Sequence, residues 1–251
     1  MEHNERWDEI WQEKSRVSSG RIGSVLARDV IYRTVTSILR KEIPDAEGKQ
    51  VLETGSGTGL VSLELAGRGA DVFLLDLSPD AIGFSRRAFE KAGAGQESAQ
   101  ADILNLPFKN DSFDVTWSGG VIEHFEKPDQ IRILSEMLRV TRSGGRVVVI
   151  APSSKARIYM LGKRHADRSR QWQPGYEVPM SSLESMAPHV PGELVREYRI
   201  GLMAELHFLK YYFAGSRFLR AAWCGLVEIL SLLLFPLNNL PGYLLVSIWK
   251  P

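Results

Sequence analysis

Short apolar runs alternate with longer segments of mixed polarity along the chain between about residues 50 and 151. Runs of this kind are typical of strands that are buried on both faces of a sheet. Strands are predicted near residues 50–54, 71–76, 97–101, 113–118 and 146–151. Helices are predicted near residues 59–67, 79–92 and 129–141. This alternation predicts an α/β fold with a doubly wound, parallel sheet.

Further elements are predicted on either side of this core. Residues 5–14 and 24–42 have helical periodicity. Leu194–Ile200 and Tyr243–Lys250 are rich in the β-branched and aromatic residues that strands favour, and they add a sixth and a last strand. Ser143-Gly144-Gly145 is expected to end the last core helix before the fifth strand begins, because glycine commonly follows a helix C-terminus.

The composition narrows the class of protein and its compartment. The chain has 251 residues, a net charge of +1 and one cysteine, Cys224. This length can bury one sizeable α/β core plus additions, and the small net charge argues against a nucleic-acid partner bound mainly through phosphates. A single cysteine excludes an intrachain disulfide and a cysteine-cluster metal site, which suits a reducing compartment. The charged N-terminus lacks the apolar segment of a secretory signal, so a cytoplasmic protein is expected.

The segment Val51–Leu60 reads Val-Leu-Glu-Thr-Gly-Ser-Gly-Thr-Gly-Leu and is the most informative stretch of the chain. It combines a buried strand, a turn with glycines at positions 55, 57 and 59, and the start of a helix. Glycine permits unusual backbone angles and lets a ligand approach where a Cβ atom would block it. The N-terminus of the following helix favours an anion. The turn therefore predicts a site for a phosphate or a carboxylate.

Two acidic residues bear on which of these anions binds. Asp76 ends the second strand, roughly 20 residues beyond the glycines, where an open α/β sheet places a carboxylate for a ribose diol. Leu60 directly follows Gly59, so the dinucleotide fingerprint Gly-x-Gly-x-x-Gly is not completed. Glu53, at the end of the first strand, favours a ligand with a positive part. S-adenosylmethionine offers a carboxylate, an ammonium, a sulfonium and a ribose, and it fits this pattern better than a pyrophosphate does.

Six blocks of sequence occur in an order that one enzyme family shares. They are Val51–Gly59, Leu75–Ser78, Ala101–Phe108, Asp111–Val115, Gly120–Phe125 and Arg139–Val149. Over these blocks the chain resembles the class I S-adenosylmethionine-dependent methyltransferases, in the type 11 branch that includes ubiquinone- and menaquinone-biosynthesis enzymes. The resemblance runs from about Gly48 to Pro152, a little under half of the chain. It implies a Rossmann-like sheet of seven strands, parallel except for an antiparallel last strand, with N-terminal helices and S-adenosylmethionine as the cofactor.

The resemblance also implies a role for each residue near the turn. Asp76 would accept hydrogen bonds from the ribose hydroxyls, with a solvated strand-end acid as the alternative. Asp102 and the backbone of Ile103 would contact the adenine, unless Asp102 only caps the following turn. Glu53 would favour the methionyl ammonium, with a structural ion pair as its alternative. The other implied cofactor-binding residues are Gly55, Ser56, Gly57, Thr58, Gly59, Leu77, Ser118 and Gly119.

A glutamate and a histidine directly follow the fourth strand. An oxygen nucleophile benefits from a base with a near-neutral pKa, and histidine is the natural choice. His124 and its neighbour Glu123 are therefore the candidate catalytic residues, with a structural role for His124 as the alternative. No metal site is predicted, and the weaker candidates for the base are His165, His189 and His207. Three aromatic residues either cover the ligands or belong to the core: Trp7, Trp11 and Tyr32.

Three regions are predicted along the chain: an N-terminal helical cap over residues 1–45, a cofactor-binding core over 46–152 and a substrate-side region over 153–251. In the last region, Lys155–Arg170 carries six basic residues against the single acid Asp167. This segment follows the fifth strand, at the edge of the sheet where ligands bind. It would hold a phosphate, a carboxylate or an anionic membrane surface, or else it is a solvated basic loop.

A long helical insertion is predicted before the last strand, at about residues 201–241. From Ala221 to Trp249 its only charge is Glu228. Glu228 and Pro236 interrupt the apolar run, so a transmembrane helix is not expected. Four interpretations remain open: a lid over an apolar substrate, a peripheral contact with the inner face of the membrane, a homodimer interface, or additional core.

The motifs after the fourth strand separate this chain from nucleic-acid methyltransferases. Methyltransferases that act on amino groups of nucleic acids have an Asn/Asp-Pro-Pro-aromatic motif at this place, whereas this chain has Ser118-Gly119-Gly120-Val121. Methylation of cytosine C5 needs a cysteine nucleophile within the core fold, whereas Cys224 lies in the apolar insertion. The predicted function is methyl transfer from S-adenosylmethionine to a small-molecule or lipid-type acceptor, with oxygen as the first choice of acceptor atom. The alternatives are a carbon or nitrogen acceptor, or a non-catalytic protein that binds S-adenosylmethionine.

Overall fold

One sheet of seven strands runs through the part of the chain that the computed structural model describes, residues 29–172 and 176–251. Its strands are β1 (Gln50–Thr54), β2 (Asp71–Asp76), β3 (Glu97–Gln100), β4 (Phe113–Gly119), β5 (Thr141–Pro152), β6 (Glu193–Ile200) and β7 (Leu244–Lys250). The helices are α1 (Val30–Glu42), α2 (Leu60–Ala66), α3 (Pro79–Ala92), α4 (Lys127–Val140), α5 (Arg157–Arg168), α6 (Leu202–Leu206) and α7 (Arg217–Leu233). Short 3₁₀ turns lie at Ile122–His124, Glu184–His189, His207–Phe213 and Phe235–Asn239.

The strands lie in the order β3-β2-β1-β4-β5-β7-β6. β1 pairs in parallel with both β2 and β4, whereas β7 runs antiparallel to β5 and to β6. Six strands therefore share one direction, and the prediction of a doubly wound sheet with an antiparallel last strand is confirmed. The chain order reverses between β1 and β4, and open α/β sheets bind ligands at the carboxyl ends of the strands beside such a point.

Apolar side chains cover both faces of the sheet. Leu52 of β1 belongs to the same buried cluster as Ile133 of α4. Its neighbour Val51 belongs to the cluster on the other face, with Ile38 of α1 and Phe89 of α3. Successive side chains of a strand point to opposite faces, so β1 has to be apolar at consecutive positions. This burial on both faces is the reason why the strands appear in the sequence as continuous apolar runs.

Only part of the predicted N-terminal helices lies within the described residues. α1 begins after Asp29, whose Oδ1 accepts hydrogen bonds from the backbone N–H groups of Ile31 and Tyr32 at 2.8 and 3.0 Å. This is the usual arrangement of an N-cap. The predicted helix at residues 5–14, with Trp7 and Trp11, lies outside the described residues.

The prediction that Ser143-Gly144-Gly145 ends α4 is wrong. α4 has already ended when Thr141 pairs with Phe113 as the first residue of β5, and the register between β4 and β5 then shifts. A Cβ atom on Gly145 would lie 2.7 Å from the backbone oxygen of Asp114. Glycine is therefore needed because an irregular stretch of β5 passes close to β4, rather than because a helix ends there.

The predicted insertion before the last strand is helical. It contains α6, α7 and two 3₁₀ turns, and α7 is its longest element with 17 residues. Val227 of α7 is buried in a cluster with Val30, Met203 and Ala204, so α7 packs beside α1. Across residues 29–172 and 176–251, no helix combines the length and the apolar character that crossing a membrane requires.

The basic segment Lys155–Arg170 forms α5 and the residues beside it. Lys163 is buried, lies 3.2 Å from a carboxylate oxygen of Asp167 and stands 4.3 Å from the ring centroid of Trp172. The ammonium group of Lys163 therefore interacts with Asp167 and Trp172 of the same chain. The other basic residues of the segment are exposed: Lys155, Arg157, Arg164, Arg168 and Arg170.

We expect Gly59→Ala to lower the free energy of unfolding by about 2–4 kcal/mol. Gly59 has a φ of +65°, and an added Cβ atom would lie 2.8 Å from Cδ1 of Leu74 and 3.0 Å from Cβ of Ser85. Urea denaturation would measure the change. Gly93→Ala is a matched control, since Gly93 has a φ of +66° and no atom within 4 Å of the added Cβ. Equal losses in the two variants would contradict the packing argument.

Candidate functional site

A cavity of about 550 Å³ opens at the carboxyl ends of β1, β2 and β4. It lies where the chain order of the sheet reverses. One side of it is lined by Ile31, Tyr32 and Val35 of α1 and by the N-cap residue Asp29, and another by Tyr243 and Leu244. Most of the predicted cofactor-binding residues line this cavity: Glu53, Gly55, Ser56, Gly57, Thr58, Asp76, Leu77, Asp102, Ile103 and Gly119.

Positive φ angles shape the glycine turn. Gly55, Gly57 and Gly59 have φ angles of +66°, +50° and +65°. A Cβ atom on Gly55 would lie only 2.5 Å from Cγ2 of Val121, which lines the cavity. Gly59 forms the N-cap of α2 and is buried outside the cavity wall. At Gly55 and Gly57 the turn therefore brings its backbone to the cavity without side chains that would fill it.

Asp76 is held in place by two backbone groups. Its Oδ2 accepts a hydrogen bond from the N–H of Gly57 at 2.8 Å, and its Oδ1 accepts one from the N–H of Ser78 at 3.0 Å. The first bond ties the end of β2 to the glycine turn, so the carboxylate and the turn keep a fixed relation to each other. Asp76 can therefore present its carboxylate to a ligand with little loss of side-chain entropy.

Glu53 is a buried acid in the wall of the cavity. It is 6% exposed, and its Oε2 atom has no hydrogen-bond partner among the described residues. The pKa of Glu53 is raised to about 8, mainly because the carboxyl is buried; the Ser62 hydroxyl opposes this shift and the charge of Asp76 adds to it. Within the described residues Glu53 forms no salt bridge, so nothing there supports the structural ion pair. A cationic group in the cavity would supply the missing partner.

Asp102 and Ile103 lie on the far side of Asp76. The Oδ1 atom of Asp102 accepts a hydrogen bond from the N–H of Leu104 at 2.9 Å, so this carboxylate caps the following turn. It is nevertheless exposed and lines the cavity, and Ile103 beside it is buried and apolar. The capping role and a contact with a ligand are therefore compatible.

His124 lines the cavity from the 3₁₀ turn after β4. Its Nδ1 atom lies 2.6 Å from the backbone oxygen of Tyr176. A carbonyl oxygen only accepts hydrogen bonds, so we assign the proton to Nδ1. In the neutral imidazole, Nε2 is then the nitrogen that accepts a proton.

Glu123 lies behind His124 and does not line the cavity. It is 1% exposed, and its Oε2 atom has no partner among the described residues. Burial raises the pKa of Glu123 to about 8, a backbone hydrogen bond lowers it, and the charge of Glu177 raises it. Glu177 accepts a hydrogen bond from the hydroxyl of Tyr159. One ligand atom from each of Glu123, His124 and Glu177 lies within 4.8 Å of the others, a spacing that one metal ion could bridge.

Other predicted residues lie away from the cavity. Ser118 is buried inside the sheet, where β4 pairs with β5. His165 stacks on Tyr212, His189 is exposed, and His207 lies 2.8 Å from Nζ of Lys210, so none of these three lines the cavity. The basic side chains of Lys155–Arg170 do not line it either.

Two residues that sequence reasoning missed belong to this region. Tyr243 lines the cavity although it precedes the last strand, and Glu177 joins Glu123 and His124. Both lie far along the chain from the glycine turn, and no local pattern marks them. Tyr32, which was expected to cover a ligand or to join the core, lines the cavity and donates a hydrogen bond to the backbone oxygen of Leu60 at 3.0 Å.

Comparison with known proteins gives matches over the same core. Residues 52–149 match the family described as methyltransferase domain. The chain is 32% identical over 125 residues to demethylmenaquinone methyltransferase of Clavibacter sepedonicus, covering 49% of this chain and 48% of that protein. It is 29% identical over 161 residues to the chloroplastic tocopherol O-methyltransferase of Arabidopsis thaliana, covering 57% and 45%. The chain thus spans about half the length of these curated relatives.

The fold also matches a solved structure along nearly its whole length. Magnesium protoporphyrin IX methyltransferase from Synechocystis PCC 6803, with bound SAH, has a TM-score of 0.57 at 15% identity, covering 98% of this chain and 94% of that chain. At 15% identity this likeness shows the fold, a Rossmann-like sheet shared with a methyltransferase. Residues 52–149 of the chain belong to the methyltransferase domain family, and the predicted family and cofactor are confirmed.

Proposed function

We propose that the protein transfers a methyl group from S-adenosylmethionine to a small-molecule or lipid-type acceptor. The observation that carries this proposal is the buried Glu53, whose Oε2 atom has no partner among the described residues, in one cavity with the glycine turn and Asp76. A ligand that is cationic at one end and carries a ribose fits these groups. The cavity volume of about 550 Å³ suits a ligand of that size.

The proposed binding roles follow from the positions of the side chains. Glu53 accepts hydrogen bonds from the methionyl ammonium, and the backbone of residues 55–58 surrounds the methionyl end. Asp76 accepts hydrogen bonds from the ribose hydroxyls. Asp102 and Ile103 contact the adenine, with Leu77 beside them. We also propose residues 46–152 as the cofactor-binding core, residues 1–45 as its cap and residues 153–251 as the substrate side; of the cap, the structure describes residues 29–45.

The reaction requires little chemistry from the protein itself. S-adenosylmethionine supplies an activated methyl group, so the chain mainly has to orient the acceptor and exclude water. Ile31, Val35, Val121 and Phe125 give the cavity wall an apolar side suited to a greasy acceptor. His124 is the proposed base, because it lines the cavity and, with the proton on Nδ1, its Nε2 atom is the nitrogen that can take the proton an oxygen nucleophile loses. Glu123 supports the imidazole from behind.

The relatives support the choice of acceptor class. Two of them are named for demethylmenaquinone and for tocopherol, and the second is named as an O-methyltransferase. We therefore propose a lipid-type acceptor with oxygen as the acceptor atom. Carbon or nitrogen as the acceptor atom, and a protein that binds S-adenosylmethionine without transferring its methyl group, are the alternatives. The proposed location is the cytoplasm, without a nucleic-acid partner.

A labelled-methyl assay tests this proposal. The protein is incubated with methyl-labelled S-adenosylmethionine and pools of quinones, phenolic lipids and soluble metabolites, and the label in each extract is counted. We expect label in a lipid-type pool. Tight binding of S-adenosylhomocysteine in calorimetry without label in any pool would instead identify a non-catalytic binder.

We expect His124→Ala to lower kcat by about 10²–10⁴-fold, the usual contribution of general acid–base catalysis. The Kd of S-adenosylhomocysteine should stay within about twofold, because the imidazole has no proposed contact with it. Steady-state kinetics with the acceptor found above and calorimetry measure the two quantities. His165→Ala is the control, since His165 lies outside the cavity wall. An unchanged kcat in His124→Ala would leave His124 with a structural role.

A further inference from the structure

The outer side of α7 carries a continuous row of exposed apolar side chains. Phe218, Ile229 and Leu233 are 80%, 58% and 73% exposed, and Leu226 and Leu232 are exposed between them. Leu226, Ile229, Leu232 and Leu233 recur at three- and four-residue spacing, and Phe218 lies about two turns before Leu226, so the five share one face. We call these five residues the apolar face of α7. Leu237 and Leu240 in the following turn are also exposed and extend it.

The exposed charged residues of α7 are both cations. Glu228 is the only acid of α7, and it is directed toward α1. There it lies 3.4 Å from Nη2 of Arg33 and accepts a hydrogen bond from the N–H of Val30 at 3.4 Å. Arg217 and Arg220 are exposed at the amino-terminal end of α7, and neither forms a salt bridge with a described residue. At about 100° per residue, Arg217 and Arg220 lie about 100° and about 200° around the helix axis from Phe218, so these exposed cations flank the amino-terminal end of the apolar face rather than lie on it.

The area of the apolar face of α7 helps to decide whether it contacts a second copy of the chain or a bilayer. A helix of this length is about 25 Å long and about 10 Å wide, so one face offers only a few hundred Å². A stable dimer buries about 800 Å² on each partner. An amphipathic helix on a bilayer needs no more than such a face, which sinks roughly 5–10 Å into the headgroup boundary. Arginines at its end reach lipid phosphates while their stems remain in the apolar layer.

We propose that the apolar face of α7 docks on the surface of a bilayer that contains anionic lipids. The charge pattern favours this occupant, because cations at the end of the face attract anionic headgroups and no exposed acid of α7 opposes them. The position of α7 also connects this membrane contact to the cavity. α7 packs on α1 through Val227, and α1 contributes Ile31, Tyr32 and Val35 to the cavity wall. Docking therefore brings the cavity close to the bilayer. This use of the contact rests on the proposed function, methyl transfer to a lipid-type acceptor.

Vesicle co-sedimentation of the full chain tests the docking. Wild type should sediment with vesicles of phosphatidylcholine mixed with phosphatidylglycerol, and much less with phosphatidylcholine alone. The triple variant Phe218→Ser, Ile229→Ser, Leu233→Ser should lose about 100-fold or more of its partition coefficient, because three large side chains no longer enter the apolar layer. The double variant Arg217→Glu, Arg220→Glu should lose about tenfold or more on the anionic vesicles.

Leu161→Ser is the matched control, since Leu161 is exposed to a similar extent on α5. It should sediment like wild type. Wild type that stays in the supernatant, or a triple variant that sediments like wild type, overturns the proposal. A dimeric wild type whose triple variant is a monomer, by light scattering, also overturns it and assigns the face to a second copy of the chain. Calorimetry with S-adenosylhomocysteine on the same samples tests the proposed function separately, because the cofactor cavity does not include the apolar face.

Discussion

We expect Asp76→Ala to weaken the binding of S-adenosylhomocysteine by about 100-fold or more. Two hydrogen bonds to a charged acceptor contribute roughly 1.5–3 kcal/mol each, and each 1.4 kcal/mol corresponds to about a tenfold change in Kd. The substitution also removes the acceptor for the N–H groups of Gly57 and Ser78, so the glycine turn loses its tie to β2. Calorimetric titration measures the Kd, and circular dichroism verifies that the variant is folded.

Asp71→Ala provides the matched control for this prediction. Asp71 begins the strand that Asp76 ends, and its carboxylate contacts only the exposed side chain of Gln50 among the hydrogen bonds of the described residues. Its removal should leave the Kd unchanged. Asp76→Asn should fall between wild type and Asp76→Ala, because the amide keeps one oxygen acceptor but no charge. A Kd for folded Asp76→Ala within twofold of wild type would remove Asp76 from the ribose site.

Much of this site could be predicted because its determinants are local in the sequence. The strand, the glycine turn and the following helix are contiguous, and Asp76 ends the adjacent strand. Parallel strands place their carboxyl ends along one edge, so Glu53, Asp76 and Asp102 had to meet there. Alternating apolar runs likewise determined the sheet, because strands buried on both faces have no polar positions to obscure the pattern.

The remaining parts depend on packing between distant segments. Tyr243, Glu177 and α1 reach the cavity only after the sheet and the insertion have folded, and no spacing in the sequence encodes that approach. The glycines near residue 144 illustrate the same limit. Glycine after a helix commonly ends it, but here the close passage of β5 by the backbone of Asp114 requires it. Lys163 appears as part of a basic run, yet Asp167 and Trp172 hold it inside the fold.

We expect the affinity for S-adenosylhomocysteine to rise with pH up to about pH 8, by about tenfold per pH unit. Burial raises the pKa of Glu53 to about 8, so most of this carboxyl is protonated at pH 7 in the free protein. A ligand ammonium is bound by the carboxylate form, and its charge lowers the pKa of Glu53. Binding must therefore release close to one proton at pH 7. Calorimetry in buffers of different ionisation enthalpy measures that release directly.

Glu53→Gln should abolish both the proton release and the slope of affinity against pH. Glu123→Gln separates this cause from a general effect of buried acids. The pKa of Glu123 is also raised to about 8 by burial, but Glu123 does not line the cavity, so its variant should keep the slope of wild type. A flat affinity profile for wild type, or a slope that disappears in Glu123→Gln, would contradict the assignment of Glu53 to the ammonium.

The same two acids predict how stability depends on pH. Their pKa values in the folded protein lie near 8, above the ordinary value of 4.5, so the folded state keeps protons that the unfolded chain releases over this range. The free energy of unfolding should therefore fall as pH rises from about 5 to 8, and each of the two acids contributes to that fall. Glu53→Gln and Glu123→Gln should each remove about half of that fall. Saturating S-adenosylhomocysteine should remove only the share of this pH dependence that comes from Glu53. A bound ammonium would pair with the Glu53 carboxylate, whose Oε2 atom has no partner among the described residues.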